Sequence, residues 1–222
     1  MDIENYIDSL TDIERKHAPK SFFLAGDKRL LFQKRRVSVV GSRNATSEGL
    51  RRAQIVTKAL VKHDIIVVSG LARGIDTIAH KTAIELRGHT IAVLGTHLDK
   101  AYPRQNLDLL ELIKEKHLAV SQFPKGYPIQ PKNFPMRNRT MALISDATII
   151  IEAGEKSGIR YQGWEALRLG REVYLLENVA NDPCLTWAKE MMDYGAQLLS
   201  RENIDMVFSD IPYLTSKYQD AF

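Results

Sequence analysis

The chain has 222 residues, 44% hydrophobic and 26% charged, with a formal net charge of +4 and a pI near 9.1. That length buries one full α/β core and is short for two domains, and the composition is that of an ordinary soluble globular protein. No apolar run approaches the roughly 18 residues of a membrane helix, and the acidic start MDIENYIDSL lacks the basic-then-apolar design of an export leader.

The lone Cys184 excludes an internal disulfide, and no Cys/His group has metal spacing. A cytoplasmic protein without a metal or cofactor is expected. The positive balance leans towards an anionic partner, but the placement of the cations decides.

Residues 1–36 read as a prelude, with a helix near Ile3–Leu10 and an edge strand at Phe22–Ala25. From Val37 to residue 210, short apolar runs alternate with helical spacing. The runs are Val37–Val40, Ile65–Ser69, Thr90–Leu94, Leu118–Ser121, Ala147–Ile151 and Glu172–Leu176, each near-continuous as in strands buried on both faces. The helices predicted between them are Ser47–His63, Asp76–Arg87, Leu107–Lys116, Met136–Ser145 and Gln162–Leu169. Thr186–Tyr194 follows as a helix with Gly195 at its C-cap, then Gln197–Leu199 as a last edge strand. Residues 211–222 are a polar tail, expected to fray from Tyr213 on. This alternation predicts a three-layer α/β domain, Rossmann-like, with a doubly wound, mostly parallel sheet.

Ligands of such sheets bind beyond the C-terminal ends of the strands. The residues there are Gly41-Ser42-Arg43 after the first strand, Ser69-Gly70-Leu71-Ala72-Arg73-Gly74 around the end of the second, and Gly95-Thr96-His97 after the third. Gln122 to Asn133, with Lys125 and Lys132, follows the fourth, and Glu155-Lys156-Ser157-Gly158 the fifth. Glycines let backbone N–H groups approach an anion, helix N-termini favour negative charge, and arginine forks onto phosphate oxygens. A tight turn with a solvated arginine explains Gly70 to Gly74 less well than an anion site does; there Asp76 is placed to cap the following helix. Arg137-Asn138-Arg139 reads as opening a helix after Asn133-Phe134-Pro135. Two cations at a helix N-terminus oppose its dipole, which points to an anionic ligand. His80 is expected to pack or bond locally, and Trp164 and Trp187 to serve the core. No Ser/His/Asp set stands out, so a hydrolase would have to be built from Glu152, Glu155 and Glu165.

Taken in order, these segments resemble the DNA-processing protein A (DprA/Smf) family. The resemblance rests on Val39 to Arg43, Val68 to Asp76 with Ala79-His80, Ile91 to Gly95 with Tyr102-Pro103 and Asn106, Asn133 to Arg139, Glu152 to Gly158, and Gly170 to Val173. It implies a Rossmann-like domain that dimerises, binds single-stranded DNA without needing sequence, and helps to load a RecA-type recombinase in transformation, with no catalytic residue. By position, Arg43, Arg73, Lys132, Arg137 and Arg139 would hold phosphates. Gly41, Ser42, Ser69, Gly70, Gly74 and Asn138 would shape the pocket, and Phe134 would stack on a base. Asn133, Lys156, Ser157 and Gly158 complete the candidate set.

Departures from the pattern lie in the fifth loop, where Ile159 and Gln162 stand in place of hydroxyl residues. That loop would hold a base or ribose against Tyr161 or Trp164, or else Ile159 and Trp164 repack the helix. The competing reading is a small-nucleotide sensor, or a nucleotide N-glycosidase-type hydrolase of related fold. The loop such hydrolases use is missing, and Glu165 after Gly163 only echoes it. A dinucleotide oxidoreductase lacks its G-x-G-x-x-G.

Overall fold

The computed structural model describes residues 10–214. Its sheet has eight strands in the order β1-β5-β4-β3-β2-β6-β7-β8. These are β1 Phe23–Gly26, β2 Arg36–Gly41, β3 Ile66–Ser69, β4 Thr90–Leu94, β5 Leu118–Ser121, β6 Ala147–Glu152, β7 Glu172–Leu176 and β8 Gln197–Leu199. Only β1 runs antiparallel, on the outer edge of β5; every other pair is parallel. The expected mostly parallel α/β sheet is therefore present, edge strands included.

Alternation within the strands shows why apolar runs without a polar face form this sheet. In β2, Val37 and Val39 join one core cluster while Val40 joins the other, and in β6 Ile149 and Ile151 oppose Ile150 in the same way. Both faces are thus buried, as parallel sheets require. The helices are α1 Asp12–His17, α2 Ser47–Lys62, α3 Ile75–Glu85, α4 Leu107–Lys116, α5 Asn133–Ile144, α6 Ile159–Arg168, α7 Glu177–Ala180, α8 Thr186–Asp193 and α9 Ile204–Asp210. One face carries α2, α3 and α9 through Ala53, Val56, Leu60, Ile75, Ala79 and Phe208, with α4 beside them on Ala92 and Ala119. The opposite face carries α5, α6 and α8 through Met141, Ala142, Ala166, Trp187 and Met191.

Local chemistry sets the ends. The Thr46 hydroxyl accepts from Gly49 N at 2.9 Å and starts α2. Gly195, at φ 106°, follows α8 as expected of a C-terminal glycine.

Two expectations need correction, and a third lies beyond the described residues. The helix α5 begins at Asn133, not Met136, because Pro135 sits in the first turn, where its missing N–H has no partner to lose. The start of the tail is docked rather than frayed: Tyr213 Oη donates to the Phe32 carbonyl, and Leu214 N donates to Asp146 at 3.0 Å. That aspartate also forms a buried ion pair with Arg36 at 3.1 Å. The helix expected at Ile3–Leu10 falls almost wholly outside the described residues.

The path of the chain places the site. From β2 it winds one way through β3 and β4 to β5, then crosses back over α5 to β6 on the other side of β2. The strand order therefore reverses between β2 and β6, and a crevice opens beyond their C-terminal ends.

Candidate nucleic-acid interface

A cleft of about 580 Å³ fills that crevice. The end of β2 and the loop after it give Gly41, Ser42 and Arg43; α5 gives Phe134, Arg137 and Asn138; the loop after β6 gives Lys156, Ser157 and Gly158. A second lobe of about 430 Å³ adjoins it, walled by Arg43, Gly70, Arg73, Phe134 and Arg137. The two lobes share Arg43, Ala72, Phe134 and Arg137, so Phe134 forms a ridge between them. The Arg43 guanidinium carbon lies 5.0 Å from the centroid of that ring, a cation–π contact at the mouth of both lobes.

The candidate cations divide into three groups. Arg43, Arg73 and Lys156 are exposed, line the lobes, and make no ion pair among the described residues. Arg137 lines both lobes yet is buried, with its Nη1 donating to the Val93 carbonyl at 3.3 Å and lying 3.9 Å from the Asp76 carboxylate. Burial pushes the Asp76 carboxyl up, offset in part by Arg137 and by N–H donation from Ala72 and Gly70. Burial pushes the Arg137 guanidinium down from its usual value, with Asp76 opposing. Arg137 is thus set within the wall and does not open the helix, which corrects the dipole argument. Lys132 and Arg139 line neither lobe, and Arg139 is drawn aside to Glu165 at 3.1 Å.

Three further candidates serve as framework. Ser69 is buried and donates its hydroxyl to the Val39 carbonyl at 2.7 Å, tying β3 to β2. Asn133 is buried and donates to the carbonyls of Gly95 at 3.2 Å and Pro128 at 3.0 Å. Gly74 has φ 74°, and a Cβ there would meet the Ser42 carbonyl oxygen at 2.3 Å, so it holds the start of α3 against the β2 loop.

Asp76 does not cap its helix. Its carboxylate turns back to accept from Gly70 N at 3.2 Å and Ala72 N at 3.3 Å, shaping the loop that Arg137 rests on. Sequence reading missed Lys100, Tyr102 and Arg104 as wall residues of the second lobe. The available signal was two cations flanking an aromatic, set past a strand end at a greater distance than the other loops.

The three carboxylates from which a hydrolase would be built are each engaged. Glu152 accepts from Thr46 N at 3.0 Å, Glu155 accepts from Thr186 Oγ1 at 2.7 Å, and Glu165 is held by Arg139 and by Arg168 at 3.7 Å. None of them lines either lobe. Trp164 packs on the core and meets the Tyr194 ring edge-on at 5.4 Å, as expected of a structural tryptophan.

The family model described as DNA recombination-mediator protein A matches residues 1–212. The chain belongs to this family. It is 33% identical over 205 residues to the DNA processing protein DprA of Bacillus subtilis, covering 92% of this chain and 68% of that protein. It spans 42% and 64% of the length of two further curated relatives. The X-ray structure of DprA from Streptococcus pneumoniae superposes with a TM-score of 0.80 at 31% identity, over 92% of this chain and 73% of that one. A structure of DNA processing protein A from Helicobacter pylori, described for its single-stranded DNA binding mode, superposes with a TM-score of 0.79 at 26% identity, over 93% of each chain. The resemblance to the DprA/Smf family and the Rossmann-like fold are thereby established. No helix among the described residues is long and apolar enough to cross a membrane.

Proposed function

We propose that this chain binds single-stranded DNA in the cleft beyond β2 and β6, without reading its sequence, as a DNA-processing protein that mediates recombination. The observation that carries the reading is the meeting of unpaired cations with a partly exposed aromatic ring at one sheet edge: Arg43 and Lys156 beside Phe134. Cations track a phosphate backbone of any sequence, and a ring accepts the face of any base. Arg43 and Lys156 hold phosphates, Ser42 and Ser157 add hydroxyl donors, and Phe134 stacks. Arg137 sets the positive potential of the wall and positions Phe134, one turn before it on α5.

No catalytic role is assigned to the chain, and Glu152, Glu155 and Glu165 are held in structural bonds. A RecA-type recombinase and a second copy of the chain are the protein partners that this reading implies. The cytoplasm is where such partners and the strand would meet.

Fluorescence anisotropy with labelled oligo-dT tests the reading. Affinity should fall with salt at a log–log slope of roughly −0.7 per phosphate contact. Equal or tighter binding of duplex, or binding indifferent to salt, would falsify it. A thermal-shift panel of mononucleotides serves as the control, with no shift expected at concentrations that saturate oligo-dT binding sites.

A further inference from the structure

The second lobe has features that the first does not explain. Its outer wall is Lys100, Tyr102 and Arg104, from the long loop after β4. Among the described residues, neither Arg73, Lys100 nor Arg104 forms an ion pair, and no acid lines this lobe. Tyr102 is 49% exposed, and its ring centroid stands 5.2 Å from that of Phe134. An exposed ring of this size, set beside another and ringed by unpaired cations, is poor design for a surface that meets only water. It has the make-up of a strand-binding track, with a flat face for a base and forks for phosphates.

We propose that the strand does not end in the first cleft but crosses the Phe134 ridge into this second lobe, where Tyr102 stacks on a base and Lys100 and Arg104 hold the flanking phosphates. The inference rests on the DNA-binding reading above and extends it. Continuity supports it: Arg43 and Arg137 border both lobes, so a backbone leaving the first meets positive charge all the way to the second. Tyr102 lies tilted 44° to Phe134, so each ring offers its own face to a separate base.

The test uses the full chain and oligo-dT of increasing length. Tyr102→Ala should weaken long oligo-dT about fivefold or more, the range for one lost stacked base, with the salt slope unchanged. Lys100→Ala with Arg104→Ala should weaken long oligo-dT and flatten its slope by about 1.4, two single-strand phosphate shares. Both variants should leave the shortest binding oligo-dT untouched, because that ligand sits in the first lobe.

If Arg43→Ala weakens binding while the second-lobe variants bind every length as the unaltered chain does, the extension is wrong and the DNA-binding reading stands. If none of the variants, Arg43→Ala included, changes binding, both fail. Equal loss at every length would merge Tyr102 into the first site and overturn a separate second lobe. All three residues are exposed between β4 and α4, and the cation pair keeps the test open should Tyr102→Ala disturb folding.

Discussion

The guanidinium of Arg137 fills the space that a side chain at Gly70 would need: a Cβ built there would lie 1.2 Å from Arg137 Nη1. The glycine that sequence reasoning offered to a phosphate instead admits an arginine from within the protein. Gly70→Ala should therefore expel Arg137 from its place beside Asp76 and leave a buried carboxylate unpaired, at a cost of about 3 kcal/mol or more. Urea denaturation measures it. An unchanged midpoint would show that Arg137 leaves its seat cheaply, and the buried pair would then have no structural weight.

The contrast between Arg137 and Arg43 follows from the same burial. Arg137→Ala should lower stability by about 3–5 kcal/mol, because it strands Asp76. Arg43→Ala, at an exposed position, should alter stability by no more than about 0.5 kcal/mol. It should flatten the salt slope of oligo-dT binding by about 0.7, one single-strand phosphate share. A full slope in Arg43→Ala would remove Arg43 from the phosphate contacts.

Phe134 separates stacking from packing. The ring rests on Gly95, where a Cβ would approach it to 2.8 Å. Phe134→Leu keeps an apolar side chain on that floor and removes the π face. Oligo-dT affinity should fall by about 1–3 kcal/mol with an unaltered salt slope, and the melting temperature should change little. A large drop in melting temperature with intact binding would make the ring a core element.

The first turn of α6, which the sequence reading placed in the fifth loop, divides its residues between two tasks. Ile159 packs against the main core cluster. Gln162 is buried, and in the amide orientation that satisfies both its ends it donates to the Asn138 carbonyl at 2.7 Å and accepts from Ala142 N at 3.3 Å. Ile159→Ser with Gln162→Thr should lower the melting temperature and leave binding alone. Tyr161, 53% exposed on the cleft wall with Arg160 5.1 Å from its ring centroid, should behave in the opposite way, Tyr161→Ala weakening binding without unfolding. If both sets act alike in calorimetry and anisotropy, this division is wrong.

Acid should destabilise the fold through His80. The Thr90 hydroxyl donates to the Val67 carbonyl at 2.8 Å, so His80 Nδ1–H donates to the Thr90 oxygen at 2.7 Å. Full burial pushes this imidazole down to about 3, with the charges of His117 and Arg137 adding to the shift. The folded pKa is depressed, so below about 6.5 the unfolded chain takes up a proton that the folded one refuses. The His80 contribution is complete above that value and is lost as pH falls, by up to about 1.4 kcal/mol per pH unit. Denaturation at a series of pH values between about 7 and 4.5 should show a shallower decline in His80→Gln. Identical slopes in the two proteins would assign acid sensitivity to other groups.

What the sequence by itself determined was the sheet and the edge of it that matters. Runs such as Val37–Val40 and Ala147–Ile151 are apolar at every position but Ser38 and Thr148, a pattern that fits a strand covered on both faces, and strand ends then point to the loops where a ligand can bind. Arg43 and Lys156 were legible as wall residues because a strand ends a few residues before each, whereas Phe134 was legible through the family resemblance. What only the tertiary structure decided was the fate of each polar group there. Arg137 and Arg139 lie two residues apart on one helix, yet one is buried over Gly70 and the other is drawn to Glu165 on α6. Ser69 and Asn133 turned inward to satisfy carbonyls of neighbouring strands and loops, and Tyr102 came to face Phe134 from a different loop. A helix or strand period states which face a residue is on. Whether a charge there meets solvent, a carboxylate or a ring depends on elements distant in the chain, because ion pairs and ring contacts act over a few ångströms of space, whatever the number of residues between.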